Sequence, residues 1–400
     1  MSDNEIKIPE LLVPAGSLEK LKVAVDYGAD AVYLGGLKFG LRAAADNFTE
    51  AELREGVAYA HAKNVLVYVV LNGFLHDQDL KELPEFLGLL QEIKIDAVIV
   101  SDLGVIKTVQ KYSNLEIHLS TQASCLNAAS AKFWKDIGVS RIVVGREVSL
   151  NEVKLIKAEV DIEIEMFVHG SMCMAYSGNC TISNYTQGRD SNRGGCAHSC
   201  RFQYSLEQNN EQLSSFFMSS KDLNGLNLIP QFAEAGVDSI KVEGRMKSHL
   251  YAGTVAKVYS EALRTYQAKG RLEKEELENW QNELHKFTHR EYAETNLLEK
   301  AGANTIYTER ENESDYGMLG RIVGAEKNAF IMQVRHAFEE GQNLELIPFE
   351  GEPLNIKAHD IKTLLGERIQ RTRPSTLVRI SCELMAGQKL EENYLIRGAK

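Results

Sequence analysis

Cys173, Cys180, Cys196 and Cys200 fall within 28 consecutive residues of a 400-residue chain that holds only six cysteines. Their spacing is Cys-x6-Cys-x15-Cys-x3-Cys. Structural zinc prefers paired Cys-x2–4-Cys knuckles, and only the last pair approximates one. Disulfides suit an oxidising compartment. An iron–sulfur cluster takes four thiolates and tolerates varied spacing. Gly170, Gly178, Gly188, Gly194 and Gly195 are interspersed with the thiols, and residues without a Cβ let backbone N–H groups approach a ligated sulfur. Spacing leaves the cluster, zinc and unligated thiols all open. Cys125 and Cys382 sit in apolar or strand surroundings and read as buried thiols.

The elements that must position these residues repeat along the first 245 positions: an amphipathic helix, a Gly- or Asp-containing turn, then a short Val/Ile-rich strand. The joints are "DYGADAVYLGG" (26–36), "EIKIDAVIVSD" (92–102), "KDIGVSRIVVGRE" (135–147) and "EAGVDSIKVEGR" (234–245). Between them lie "VLVYVVLN" (65–72), "EIHLSTQ" (116–122) and "IEIEMFVHG" (162–170), with "ELLVPAG" (10–16) in front. Near-continuous apolar strands imply a parallel sheet covered on both faces. Eight such units predict a (β/α)8 TIM-type barrel over 1–260. The competing arrangement is an open doubly wound sheet, but no Gly-x-Gly-x-x-Gly turn follows the first strand. The repeat breaks once, at a Cys-rich insert over about 171–238 before the last strand, on the rim where barrels build active sites. A helical linker segment is expected over 261–310. Short alternating strands over 311–400 then predict a small C-terminal antiparallel β-barrel.

"EMFVHGSMCMAYSGNCTIS" (Glu165–Ser183) meets every fixed position of the signature of the collagenase-like peptidase family U32. "NYTQGRDSNRGGCAHSCRFQY" and the N-terminal "ELLVPAGSLEKLKVAVDYGADAVYLGG" are also similar to that family, the former to its tRNA-hydroxylating branch. The resemblance covers roughly residues 9–260. It implies a 4Fe-4S cluster on Cys173, Cys180, Cys196 and Cys200. It also implies oxygen-independent hydroxylation at C5 of a wobble uridine in the tRNA anticodon loop, with prephenate as co-substrate. Relatives that work in pairs make a homo-oligomer, or a hetero-oligomer with a paralogue, the expected assembly.

The family name promises proteolysis, yet no His-Glu-x-x-His and no Gly-x-Ser-x-Gly elbow occurs. A collagenase-like peptidase and a zinc-holding RNA-binding scaffold remain the competing functions. Prephenate is a dicarboxylate and calls for guanidinium forks. Arg42, Arg146, Arg189, Arg193 and Arg245 lie at strand ends or in the insert; the alternative is pairing with Glu147, Asp102 or Asp190. Tyr33, Asn72, Ser101, Thr121 and Gln122 also stand at strand ends. Lys241 and Glu243 are expected to pair with each other in the barrel interior. His169 reads first as a strand-end hydrogen-bonder. Tyr176, Tyr185, Phe202 and Tyr204 would stack on splayed bases or pack the insert.

The net charge of −11 excludes a surface that is basic everywhere. Between 357 and 379, however, six Lys/Arg face two acids, a local basic stretch that would suit RNA phosphates or lie as a solvated strand face. The 44% hydrophobic content supports a core without disulfides. No apolar leader opens the sequence and no run approaches the roughly 18 apolar residues of a spanning helix. A cytoplasmic, membrane-free protein is expected.

Overall fold

Each of the eight apolar runs forms a strand in the computed structural model, which describes residues 6–41, 47–209, 211–309, 313–382 and 389–399. In chain order these are β1 (Glu10–Pro14), α1 (Leu18–Asp26), β2 (Ala31–Leu34), α2 (Glu50–His61), β3 (Leu66–Leu71) and α3 (Asp77–Glu92). Then follow β4 (Ala97–Val100), α4 (Leu103–Tyr112), β5 (Glu116–Leu119), α5 (Ala128–Asp136), β6 (Arg141–Val143), α6 (Leu150–Glu159) and β7 (Glu163–Ser171). Neighbours pair in parallel from β1 to β7. The ring closes through β11 (Ser239–Val242), which pairs in parallel with both β7 and β1, in register at Glu165↔Ser239 and Glu10↔Ser239.

Alternation along the strands sends two sets of side chains to opposite faces. Leu11, Val13, Val32, Leu34, Val67, Val69, Val98 and Val100 point outward and pack under the helices, in a core that also holds Leu83, Leu87, Val105 and Val109. The helices start where the sequence supplies a cap: Ser17, Thr49, Asp102, Asn127 and Ser149 each accept a first-turn N–H. The inward set is divided. On β1 to β4 it is apolar and aromatic, with Leu12, Ala31, Tyr33, Tyr68, Val70, Ala97 and Ile99 in one cluster. On β5 to β7 and β11 it is polar and charged, with His118, Arg141, Glu165, Ser239 and Lys241 all buried.

The insert leaves β7 as tight turns around α7 (Ile182–Gln187), then an exposed hairpin of β8 (Tyr204–Gln208) and β9 (Glu211–Ser215). It returns through β10 (Asp222–Asn224), which pairs antiparallel with the upper end of β7, and α8 (Ile229–Glu234) before β11. α9 (His249–Lys269) runs uninterrupted across position 260, where the sequence placed a division, because its apolar face continues against α1 and the C-terminal sheet. α10 (Lys274–Leu284) follows, and β12 (Tyr292–Ala293) then joins β10.

The last region is an antiparallel sheet of seven strands: β13 (Tyr316–Ala325), β14 (Ala329–Val334), β15 (Asn343–Ile347), β16 (Leu354–Lys357), β17 (His359–Thr363), β18 (Leu377–Ser381) and β19 (Leu395–Ala399). Its order is β16-β15-β19-β13-β14-β18-β17. The edge strands β16 and β17 succeed each other through the buried Ala358, so the chain itself closes the curve of a half-barrel. The sheet is fastened to the barrel by Tyr27, whose hydroxyl donates to Ile347 O at 2.6 Å and accepts from Leu395 N at 2.8 Å. Arg397, fully buried, lies between Glu283 and Glu345, each at 2.7 Å.

Four of the six cations in the 357–379 stretch meet acids: Lys362–Asp360, Arg368–Glu340, Arg371–Glu339 and Arg379–Glu326. Three of those acids lie outside the stretch, on neighbouring strands and turns. A linear count of charge could not include them, and the patch is largely neutralised. No helix among the described residues is long and apolar enough to cross a membrane.

Candidate functional site: a thiol-roofed barrel mouth

At the C-terminal ends of the strands lies a cavity of about 430 Å³. Cys173, Cys180, Cys196 and Cys200 of the insert all line it from above. Tyr33, Asn72, Thr121, Gln122, Phe167 and Lys241 of the barrel line it from below. Arg146, Arg201, Arg245, Lys247 and Arg290 stand around it, with Glu243 the one carboxylate among its described lining residues.

The insert is held over the mouth by bonds to three barrel loops. Arg193 donates to Asp79 at 2.8 Å and to Phe74 O, and Phe74 N donates to Asn192 O at 2.9 Å. Ser177 donates to Glu147, and Asn179 Nδ2 to Gln122 O at 3.3 Å. Arg201, the residue after Cys200, donates to Ser219 Oγ at 3.0 Å and to Ser220 O at 2.8 Å. Arg290 reaches in from beyond α10 to Ser220 O, Ser171 Oγ and the buried Asp222. Gly170, at φ +106°, lets the chain turn off β7; a Cβ there would lie 2.4 Å from Glu243 O.

All four thiols are free. Burial pushes the Cys200 thiol up, and the neighbouring thiols Cys173, Cys196 and Cys180 push it the same way, so the four form one electrostatic neighbourhood. Among the described residues no three His, Cys, Asp or Glu side chains are gathered tightly enough to hold a single metal ion.

The floor rests on a buried charge network. Lys241 Nζ donates to Glu165 Oε1 at 2.7 Å, and Arg141 approaches the same carboxylate at 3.6 Å. Arg141 also donates to Glu10 at 2.6 Å, which in turn accepts from Tyr68 and Ser239. Burial alone would raise the Glu165 pKa, but Lys241 and Arg141 together hold it below the usual range. Burial lowers the Lys241 pKa, opposed by Glu165. Lys241 is thus paired with Glu165 rather than Glu243: on the adjacent β7, Glu165 stands opposite Ser239 and diagonally across from Lys241, on the same inward face.

The predicted residues divide. Arg146 and Arg245 line the cavity. Arg146 bonds neither Glu147 nor Asp102: Glu147 accepts from Ser177, Asp102 caps α4, and the Arg146 guanidinium lies 3.8 Å above the Phe167 ring centre. Arg245 is buried under β2, where a Cβ on Gly35 would meet its Nη1 at 2.5 Å. Arg189 is exposed on the insert and Arg193 is committed to Asp79, and neither lines the cavity. Tyr176 and Tyr185 are exposed on the insert's outer surface, with Phe202 nearby in the fold, and none of the three lines the cavity. His169 is buried behind the wall, its Nδ1 3.3 Å from Tyr259 Oη. Ser101 supports Asn72 by donating to its carbonyl at 3.3 Å. Arg42 lies outside the described residues. Sequence reasoning missed Arg201, Lys247 and Arg290; only Arg201 carried a signal, its place directly after Cys200.

A closed parallel barrel whose active rim is roofed by a four-cysteine insert defines an α/β-barrel protein with a thiol-rich cavity. Residues 16–307 match the model of peptidase family U32, and residues 314–397 that of the peptidase family U32 C-terminal domain. The chain belongs to peptidase family U32. It is 40% identical over 377 residues to the tRNA hydroxylation protein P1 of Bacillus subtilis, covering 90% of this chain and 88% of that one. The 23S rRNA 5-hydroxycytidine C2501 synthase of Escherichia coli is 36% identical over 257 residues, 64% of this chain and 39% of that protein. A collagenase of Porphyromonas gingivalis is 32% identical over 292 residues, 69% of this chain and 70% of that one.

Proposed function

We propose that this protein is an RNA-modifying enzyme that hydroxylates a wobble uridine of tRNA at C5, using a 4Fe-4S cluster on Cys173, Cys180, Cys196 and Cys200 and prephenate as co-substrate. The observation that carries it is the shared cavity: four thiols above, guanidinium and ammonium groups around and below. Relatives named for tRNA hydroxylation and for 5-hydroxycytidine synthesis support the reaction class. Four thiols lining one cavity are the donor set a 4Fe-4S cluster takes, and Cys173, Cys180, Cys196 and Cys200 would hold it.

Uracil C5 is electron-rich, so its hydroxylation needs redox help that side chains do not offer; a bound cluster supplies that capacity. The chain's own residues do the rest. Arg146 and Arg245 bind the carboxylates of the small acid. Asn72 and Gln122, at the strand ends, orient it. Exposed Met174 and Met246 at the rim give a flipped base apolar surface to pack against, and Tyr176 and Tyr185 on the insert's outer surface can stack on neighbouring loop bases. The insert covers the reacting groups and excludes bulk water.

The peptidase alternative loses its nearest parts. His169, four residues from Cys173, faces Tyr259 instead of the cavity. His285 and His289 bond each other at 2.9 Å in a separate pocket.

The test is anaerobic purification beside a Cys196→Ser variant, assaying iron, acid-labile sulfide and zinc, then nucleoside mass spectrometry of tRNA incubated with prephenate. About four irons and four sulfides per chain, lost in the variant together with 5-hydroxyuridine formation, is the expected result. One zinc per chain with tRNA bound but unmodified would establish the scaffold function instead. Cleavage of gelatin unchanged by Cys196→Ser would establish the peptidase.

A further inference from the structure

We propose that Lys241 is a catalytic lysine, which forms an imine with the carbonyl of a small 2-oxo acid on the cavity floor while Arg146 holds the acid's carboxylate. It rests on the proposed function only for the presence of a small acid in the reaction; the site itself is read from the floor.

Lys241 is 5% exposed, and what exposure it has opens into the cavity. Its Nζ lies 4.3 Å from the Tyr33 ring centre and 5.8 Å from that of Phe167. Of the three protons an ammonium carries, Glu165 takes one at 2.7 Å. A desolvated lysine beside other cations is the arrangement that makes an amine nucleophilic. Burial, Arg141 and Arg146 all weaken the hold of Lys241 on its proton, against Glu165.

A pair built only for stability has no need of this cavity. Glu165 is also faced by Arg141 at 3.6 Å. Its second oxygen, Oε2, is buried and accepts no hydrogen bond, which leaves an acceptor beside the amine.

Two more buried polar atoms without partners lie on the same cavity. Arg146 Nε makes no hydrogen bond, and its guanidinium carbon lies 3.8 Å from the Phe167 ring centre; a guanidinium fork is suited to a carboxylate. Asn72 Oδ1 makes none either, while its Nδ2 donates to Ser120 Oγ at 3.0 Å; the free oxygen fits a ligand O–H. Orphaned buried donors and acceptors are uncommon, and a carboxylate plus a hydroxyl or hydrated carbonyl satisfies both.

The step balances without an oxidant. Glu165 takes a proton from the Lys241 ammonium, and the amine nitrogen adds to the carbonyl carbon. The carbinolamine hydroxyl leaves as water with the proton Glu165 returns. Ammonium plus carbonyl gives protonated imine plus water, with the charge unchanged.

The experiment incubates the anaerobically purified 400-residue protein with pyruvate or prephenate and sodium cyanoborohydride, then maps adducts by peptide mass spectrometry. The expected result is one adduct per chain, on Lys241, absent in Lys241→Arg and reduced about tenfold or more in Arg146→Met, the loss expected for one charge-assisted hydrogen bond. Adducts scattered over exposed lysines such as Lys7 and Lys274, or none on Lys241 of the wild-type protein, overturn the proposal. Mapping on the wild type decides the matter even where a variant fails to fold. An adduct on Lys241 in protein that leaves tRNA unmodified supports the lysine and rejects the proposed function. Full hydroxylation by Lys241→Arg rejects the lysine and leaves the function standing.

Discussion

On the C-terminal sheet, Arg368, Arg371 and Arg379 each face a glutamate, with both partners at or near the surface. Around the barrel mouth, Arg146, Lys241 and Arg245 are buried or half-buried; among the described lining residues Glu243 is the one acid, with Glu165 beneath. The two regions hold similar numbers of cations and differ in where the counter-charge comes from. On the sheet it is built into the neighbouring strand, so little is left for a ligand. At the mouth Arg146 Nε and Asn72 Oδ1 are buried without a hydrogen bond among the described residues, and a ligand can satisfy both. A cation marks a binding site when the fold leaves it short of partners, not when the sequence crowds it among its kind.

The largest effect that would sharpen this contrast comes from Glu165→Leu. It leaves Lys241 and Arg141 without their shared carboxylate inside the barrel, and breaking such a buried pair costs about 3–5 kcal/mol. Urea denaturation reads it directly; a loss below about 1 kcal/mol would make the barrel network no different from a surface pair. Next, Arg146→Ala is expected to raise the prephenate concentration for half-maximal tRNA hydroxylation by about tenfold or more, the loss of roughly 1.5–3 kcal/mol carried by one charge-assisted bond. The melting temperature should fall only slightly, reflecting the roughly 0.5–2 kcal/mol of the Phe167 contact, because Arg146 forms no ion pair with an acid among the described residues.

A third comparison uses pH. Burial, only partly opposed by Asp222, pushes His169 down to about 3, whereas the unfolded chain titrates near 6.5. Between those values the unfolded state binds a proton that the folded state refuses. Stability therefore falls as pH falls through this window, by up to about 1.4 kcal/mol per unit. In His169→Gln that contribution to the slope disappears, as denaturation at pH 6.5, 5.5 and 4.5 would show; an unchanged slope would mean His169 is protonated in the fold. The smallest effect belongs to the sheet. Arg379→Ala should leave melting temperature and tRNA affinity within experimental error, and a steep loss of tRNA binding would return the basic strands to the RNA interface.

The barrel was legible because strands buried on both faces are written as uninterrupted apolar runs, and "AVYL", "LVYVVL" and "AVIV" are such runs. The cysteines were legible through local density. The floor was not. Glu165 and Lys241 are 76 positions apart, and Glu10 and Arg141 are 131 apart; only the closure of the ring brings them together. Arg193 and Arg146 looked alike in sequence, but one lies beside Asp79 and the other over an aromatic ring. The neutralisation of the basic stretch was hidden for the same reason, since Glu326, Glu339 and Glu340 lie outside it.

Arg290 gives the molecule a sense of time. It ties Ser171, Ser220 and Asp222 together, yet it follows the last clustered cysteine by 90 positions. As the chain leaves the ribosome, all eight barrel strands and all four thiols emerge before the residue that buckles the insert to its base. The cavity is therefore among the last parts of this region to close. For that interval the thiols hang on a loop tied to the barrel rim but not yet to its base, and any group they hold must be delivered late or withstand the wait.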